Sequence, residues 1–118
     1  MKTSLISAAI LVFSAFFGED MLTGKWESQP SVKGNVTRVV FKPDQSFEGF
    51  VNRKPFVTGT YSLEDSVFSF VDNGCDGTRG TYQVVFFSNG DSIRFKPIMD
   101  SCVGRKNGMS TLVLGRIR

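Results

Sequence analysis

The strongest constraint on the fold of this chain is a series of short β-type runs separated by very short connections. After the first twenty residues, stretches rich in Val, Phe, Thr and Tyr alternate with turn segments such as "KPDQS", "NRKP" and "DNGCDG". A parallel crossover needs a dozen or more residues, so connections this short make successive strands antiparallel. The same region shows no convincing helical period. We therefore predict eight strands, at roughly 23–29, 36–42, 46–52, 56–63, 66–71, 78–88, 91–99 and 109–116.

The dipeptide Asn89-Gly90 allows a test of register, because it is a strong signal for a two-residue hairpin. One face of this hairpin is then apolar, with Phe86 opposite Ile93, Val84 opposite Phe95 and Tyr82 opposite Pro97. The other face carries polar and charged side chains, as in a sheet with one side in water.

Two further turns extend the same apolar face to other strands. A turn at Glu64-Asp65 would pair Tyr61 with Phe68, and the "KPDQS" segment would set Phe41 opposite Phe47. The register between the third and fourth strands depends on whether the "NRKP" loop is even or odd, and it stays open. Because eight strands can close on themselves and so remove exposed edges, we predict an all-β fold, an eight-stranded antiparallel up-and-down barrel. A two-sheet sandwich is the alternative.

The two cysteines lie in two different connections of this topology. Cys75 falls between strands five and six, and Cys102 falls between strands seven and eight. In a meander these connections emerge at the same end of the barrel, and the Asn89-Gly90 register pairs residue 77 with residue 102. Cys75 is then about two residues from the position opposite Cys102. We predict a disulfide bond, with a free or metal-binding thiol pair as the alternative.

The N-terminal segment differs in kind from the rest of the chain. Lys2 is followed by an apolar run, Leu5 to Phe17, which is too short to span a bilayer and has the charge, length and position of a signal-peptide core. We predict a signal peptide over residues 1–18, a barrel domain over 19–118, and export to the periplasm or the medium. A buried N-terminal helix is the alternative, and stable membrane insertion is not expected.

Composition gives little support to catalysis or to nucleic-acid binding. The chain has no histidine, so imidazole base catalysis and the commonest metal ligand are both missing. "DNGCDG" has Gly74 where a calcium loop needs Asp or Asn. The net charge is only +3, with basic residues scattered among acidic ones. We expect no enzyme activity, no cofactor, no metal site and no nucleic-acid partner.

A family resemblance appears at the first strand. "LTGKWES", Leu22 to Ser28, contains a Gly-x-Trp and precedes a set of short antiparallel strands, and in this it resembles the lipocalin-like (calycin) barrels. "GTY" and "DSCVGR" are similar to segments of small secreted lipocalin-like proteins. The resemblance implies that Trp26, with Gly24, closes one end of the barrel under Arg116, or less favourably Arg105. The chain is shorter than a classical lipocalin and lacks that family's second loop motif, so a shallower ligand cup is implied.

The remaining functional hypothesis is a binding module. An eight-stranded barrel has room inside for side chains or for one small ligand. We predict that an apolar ligand contacts an inward aromatic set, although the same set would also suit a filled core. The set is Phe41, Phe47, Tyr61, Phe68, Phe70, Tyr82, Phe86 and Phe95.

Two further possibilities involve a protein partner. Small exported barrels of this size also inhibit proteases or lysozyme through their loops, which gives an alternative function. An outer apolar face could bind a protein partner or form a homodimer. That face is expected to contain Phe50, Val67, Val71, Val85 and Phe87.

Overall fold

Each of the eight β-type runs forms a strand, and every strand pairs antiparallel with the next one along the chain. In the computed structural model, which describes residues 21–118, β1 also pairs with β8, so the sheet closes into an up-and-down barrel. This confirms the predicted barrel and rules out the two-sheet sandwich. The predicted signal peptide over residues 1–18 lies outside the described residues. The strands are β1 (Gly24–Ser28), β2 (Thr37–Phe41), β3 (Ser46–Val51), β4 (Lys54–Glu64), β5 (Val67–Asp72), β6 (Gly80–Phe87), β7 (Ser92–Met99) and β8 (Val113–Ile117).

The β6–β7 hairpin has the predicted register. Its cross-strand pairs include Val84 with Phe95 and Phe86 with Ile93. The β2–β3 hairpin also agrees, with Phe41 opposite Phe47. Turn chemistry and strand alternation were therefore sufficient to place these four strands.

The predicted β4–β5 register is wrong by two residues. Tyr61 pairs with Phe70 rather than with Phe68, because the two turn residues are Asp65 and Ser66 and not Glu64-Asp65. Both turn residues have positive φ, of 50° and 66°. Aspartate adopts that conformation more readily than a longer side chain does, so Glu64 remains in the strand. A shift of two residues leaves the same side chains on the inner face.

The β3–β4 register, which the sequence left open, is set by a tight turn and a bulge. Asn52 and Arg53 both have positive φ and form the turn. A register shift follows at Gly49/Phe50, where Gly49 pairs with Val57 and Phe50 pairs with Pro55. Phe56 is the extra residue of this bulge, which bends β4 at the rim of the barrel.

The chain also contains a helix that was not predicted. The helix α1 covers Val103–Thr111, where the sequence indicated a loop and the start of the last strand, and a short 3-10 turn covers Cys75–Gly77. Gly104 and Gly108 lower the intrinsic helix propensity of this segment. Met109 and Leu112 pack against the barrel core, and such contacts commonly stabilise helices of low propensity. Among residues 21–118 there is no helix with the length and apolar character needed to span a bilayer.

The two ends of the barrel differ. At the end where β1 begins, Trp26 is fully buried, and its indole Nε1 donates to the Leu22 carbonyl at 2.9 Å. Leu22 is also fully buried, so the chain preceding β1 fills this end. At the other end lie the 3-10 turn, the bulge of β4 and α1. The first end is closed by side chains, and the second end carries the cavity described next.

Candidate functional site

A cavity of about 570 Å³ lies inside the barrel at the end that carries α1. Its walls are mainly apolar and come from β2 to β5, β7, β8 and α1. Five of the eight aromatic side chains predicted for the interior line it. They are Phe41, Phe47, Phe68, Phe70 and Phe95.

The other three predicted interior residues lie outside the lining of this cavity. Tyr61 and Tyr82 are buried in the core, and Phe86 is partly buried and packs against it. The phenylalanines that line the cavity contact one another directly, with ring centroids 5.1 Å apart for Phe68 and Phe70 and 5.5 Å apart for Phe68 and Phe95. The aromatic interior therefore forms both a packed core and the wall of a cavity.

One side of the cavity is a glycine face of α1. Gly104 and Gly108 are four residues apart, so they share a face of the helix, and both line the cavity. A Cβ atom added at either glycine would find no atom within 4 Å. The bulge residue Phe56 also lines the cavity and is 73% exposed, so it lies at the rim. The space beside α1 is therefore open because the helix lacks side chains there.

A buried polar network joins α1 to the strands beside it. The Arg105 guanidinium donates to both oxygens of Asp100, from Nε at 2.9 Å and from Nη2 at 3.0 Å. Arg105 also donates to Asp72 Oδ2 at 3.3 Å and to the Thr78 carbonyl at 2.9 Å. The Tyr82 hydroxyl donates to Asp100 Oδ2. Because bidentate guanidinium–carboxylate pairs are strong and directional, this network fixes the helix on the barrel.

The strand β6 makes room for the network at Gly80. A Cβ atom at this position would lie 3.0 Å from Arg105 Nη2 and 3.0 Å from Asp100 Oδ2. The Arg105 guanidinium also lies over the Phe70 ring, 4.7 Å from its centroid. Arg105 therefore contacts both the carboxylates and the aromatic wall of the cavity.

The network shifts the pKa values of Asp100, Tyr82 and Arg105. Burial by itself raises the pKa of Asp100, but hydrogen bonds from Arg105 and Tyr82 outweigh burial and lower this pKa to about 2. Burial and the hydrogen bond to Asp100 raise the pKa of the Tyr82 phenol. The hydrogen bond to Asp100 raises the pKa of Arg105. At neutral pH Tyr82 is therefore a phenol, Arg105 a guanidinium cation and Asp100 a carboxylate.

The predicted disulfide bond is confirmed. Cys75 and Cys102 are joined, with their Cα atoms 5.9 Å apart. Cys75 opens the 3-10 turn after β5, and Cys102 immediately precedes α1. The Cys102 amide also donates to Asp100 Oδ1 at 3.0 Å. The disulfide and the polar network therefore hold the same end of α1.

At the closed end, the residues named from the family resemblance lie together. The Arg116 guanidinium carbon is 4.3 Å from the centroid of the Trp26 ring. A Cβ atom at Gly24, where φ is 134°, would lie 3.4 Å from Arg116 Nη1. Arg116, and not Arg105, is the cation over this tryptophan. Arg105 belongs instead to the network at the open end.

The predicted outer apolar face is only partly exposed. Of its five residues, Phe87 is 40% exposed, and Val67, Val71 and Val85 are half-buried. Phe50 is also half-buried, and it lies in the lining of the cavity beside the bulge at Gly49/Phe50. More exposed apolar side chains lie near the end that carries the cavity. These are Phe56, Ile98, Met99, Val103 and Val113.

The sequence interpretation missed the polar network. Its only signal was the spacing Asp100-x-Cys102-x-x-Arg105, which places a carboxylate, a disulfide cysteine and a guanidinium at the start of a helix. Within residues 21–118 there is no group of three or more His, Cys, Asp or Glu side chains that could hold a metal ion.

Comparison with protein-family models gives no match for this chain, and comparison with curated protein sequences gives none either.

Proposed function

We propose that this protein is a small exported barrel that binds an apolar ligand in the cavity at its open end. The observation that carries this proposal is the cavity of about 570 Å³ lined by seven phenylalanine side chains. Ligand sites typically have volumes of about 300–1,000 Å³ and mainly apolar walls with few polar groups. A barrel interior that served only as a hydrophobic core would be filled by side chains, since protein interiors are normally close-packed.

The attachment of α1 supports a cavity that exists before the ligand arrives. The Cys75–Cys102 bond and the Arg105–Asp100 pair hold the helix beside the opening. A preformed site reduces the ordering cost of binding. The glycine face of α1 leaves the adjacent space free for a ligand.

Export is supported by two features of the chain. The apolar run from Leu5 to Phe17 has the character of a signal peptide. Disulfide bonds such as Cys75–Cys102 persist in oxidising compartments. A ligand carrier or scavenger in the periplasm or the medium fits both features.

The test is a titration with Nile red, a neutral apolar dye, against two leucine variants of α1. Gly108→Leu places a side chain into the cavity, so dye affinity should fall by at least about tenfold, equivalent to about 1.4 kcal/mol. Asn107→Leu adds the same side chain at an exposed position that does not line the cavity, so it should bind the dye like the wild type. A leucine at Gly49, which also lines the cavity, would be a poorer test of the cavity. A Cβ atom there would lie 2.7 Å from Val57 Cγ1, so the substitution would disturb the packing of the barrel.

Far-ultraviolet circular dichroism should show that both leucine variants remain folded. Equal dye affinity in Gly108→Leu and Asn107→Leu would place the dye on the exposed apolar surface and refute the cavity as its site. Absence of any saturable binding by the wild type would refute the proposed function.

A second candidate function, inhibition of an exported hydrolase, is supported by the apolar rim. Phe56, Met99 and Val103 are 73%, 74% and 67% exposed. Exposed apolar residues near a rigid opening are typical of protein-binding sites. Inhibition of a protease or lysozyme by the wild type, lost in Phe56→Ser while Nile red still binds, would support this function. No inhibition across a panel of such enzymes would refute it.

A further inference from the structure

The mainly apolar wall of the cavity also contains charged side chains. Among the described residues that line it, two carry an ionisable side chain, Asp72 and Arg105. Their side chains are only 6% and 9% exposed. Charges in such a position are screened less by salt than exposed charges are, so their sum acts on any ligand in the cavity.

The charges of the network do not cancel. The Asp100 side chain is fully buried and takes two hydrogen bonds from Arg105, so these two groups neutralise each other. Asp72 is then the excess anion. Its Oδ1 accepts from the Gly74 amide at 2.9 Å, and its Oδ2 accepts from Arg105 at the longer distance of 3.3 Å. The cavity wall therefore carries a net charge of about −1 at Asp72.

The guanidinium of Arg105 is a poor receptor for an anionic ligand. It already makes four hydrogen bonds, to Asp100, Asp72 and the Thr78 carbonyl. A guanidinium has five N–H donors in all. A ligand carboxylate that reached the remaining donor would also lie near the Asp72 carboxylate, and like charges repel.

The aromatic wall favours the opposite sign of charge. Seven phenylalanine side chains line the cavity, and a cation over the face of an aromatic ring is attracted by its quadrupole. Phe70 already takes part in such a contact, with Arg105. An ammonium group near Asp72 would therefore meet one carboxylate and several aromatic rings.

We propose that the cavity selects apolar ligands that carry a protonated amine, with the ammonium group placed against Asp72. This proposal rests on the proposed function, since it requires that the cavity binds a ligand. It adds the chemical class of that ligand: an alkyl or aryl amine, in preference to the corresponding alcohol or carboxylic acid. Lys54 and Lys106 lie in the segments around the opening and do not line the cavity, and both are exposed, so salt screens their opposing charge.

The experiment is the displacement of bound Nile red by three probes of equal chain length, namely octylamine, octanol and octanoate, at neutral pH and physiological salt. We expect octylamine to displace the dye at a concentration at least about tenfold lower than octanol, and octanoate to be the weakest. Asp72→Asn retains an oxygen for the Gly74 amide and removes the excess charge. It should abolish the preference for octylamine over octanol.

A matched control and an opposite variant complete the test. Asp76→Asn removes a carboxylate from the 3-10 turn that follows β5. Asp76 does not line the cavity, so the preference for octylamine should persist. Asn73→Asp adds a negative charge to the lining and keeps an acceptor for the Thr58 amide, so the preference for octylamine should rise. This variant tests the proposal even if Asp72→Asn folds poorly.

The outcomes separate the two proposals. If the three probes displace Nile red equally, the amine preference is refuted and the apolar cavity stands. If Asp76→Asn changes the preference as much as Asp72→Asn does, the preference comes from general surface charge and the proposed site is refuted. If neither Nile red nor any probe binds, the proposed function fails and this inference fails with it.

Discussion

The Arg105 guanidinium donates to both oxygens of the Asp100 carboxylate, from Nε at 2.9 Å and from Nη2 at 3.0 Å. Neither side chain is more than 9% exposed. This pair connects α1 to the end of β7, and the disulfide bond begins two residues after Asp100. The position of the helix beside the cavity therefore depends on a few contacts with large energetic consequences.

Loss of Arg105 should strongly destabilise the protein. Arg105→Ala leaves the buried Asp100 carboxylate without its cation, and breaking a buried ion pair in this way typically costs about 3–5 kcal/mol. Urea unfolding followed by circular dichroism measures the change. Lys106→Ala, an exposed neighbour in the same helix, should change stability by less than about 0.5 kcal/mol. A similar small effect for Arg105→Ala would show that the network does not stabilise the fold.

The pKa of Asp100 predicts a loss of stability in acid. Hydrogen bonds from Arg105 and Tyr82 outweigh the opposing effect of burial and lower this pKa from 3.8 to about 2. A carboxyl group with a lowered folded-state pKa contributes stability that is full above its unfolded value and is lost as pH falls through the folded value. One pKa unit corresponds to about 1.4 kcal/mol, so about 2 kcal/mol should be lost between about pH 5 and about pH 2.

The measurement is the unfolding free energy as a function of pH in the wild type and in Asp100→Asn. The variant should be less stable at neutral pH but should show a drop in acid that is smaller by about 2 kcal/mol. An equal drop in both proteins would assign the acid sensitivity to other carboxylates.

The disulfide bond should contribute much of the stability of so small a domain. Cys75 and Cys102 are 27 residues apart, and closing a loop of this length restricts the unfolded chain. Cys102→Ala should lower the unfolding free energy by about 2–5 kcal/mol, whereas Ser101→Ala at the exposed neighbouring position should have little effect. Thiol labelling of the denatured wild type should detect no free cysteine. Two reactive thiols in protein from an oxidising compartment would contradict the bond.

Trp26 should report on the closed end of the barrel. It is the only tryptophan in the chain and is fully buried, so its emission should be blue-shifted and should move to the red on unfolding. Arg116→Ala should cost about 1–2 kcal/mol, because the guanidinium packs on the indole and also donates to the Met21 carbonyl at 2.7 Å. Arg118→Ala, at an exposed position, is the control. Water-like emission from the folded protein would refute the buried position.

The sequence was most informative where local chemistry decides structure. Side-chain alternation, the Asn89-Gly90 turn and the short connections predicted the barrel, the β6–β7 register and the partners of the disulfide bond. Alternation and turn geometry act over a few residues, so they can be read along the chain. Even at Glu64-Asp65, where the turn was placed one residue too early, alternation kept the same residues on the inner face.

Only the tertiary structure decided the position of α1, the network around Arg105 and the division of the interior into core and cavity. The two glycines of α1 lower its helix propensity, so the sequence of this segment does not predict a helix. The stabilising contacts of its side chains are made with distant parts of the chain, as in the hydrogen bond between Arg105 and Asp72, which are 33 residues apart. The same phenylalanine and tyrosine residues suit a filled core and a cavity wall equally well. Whether a cavity remains between these side chains depends on how closely α1 packs against strands that are far from it in sequence. Local sequence patterns do not determine that packing distance.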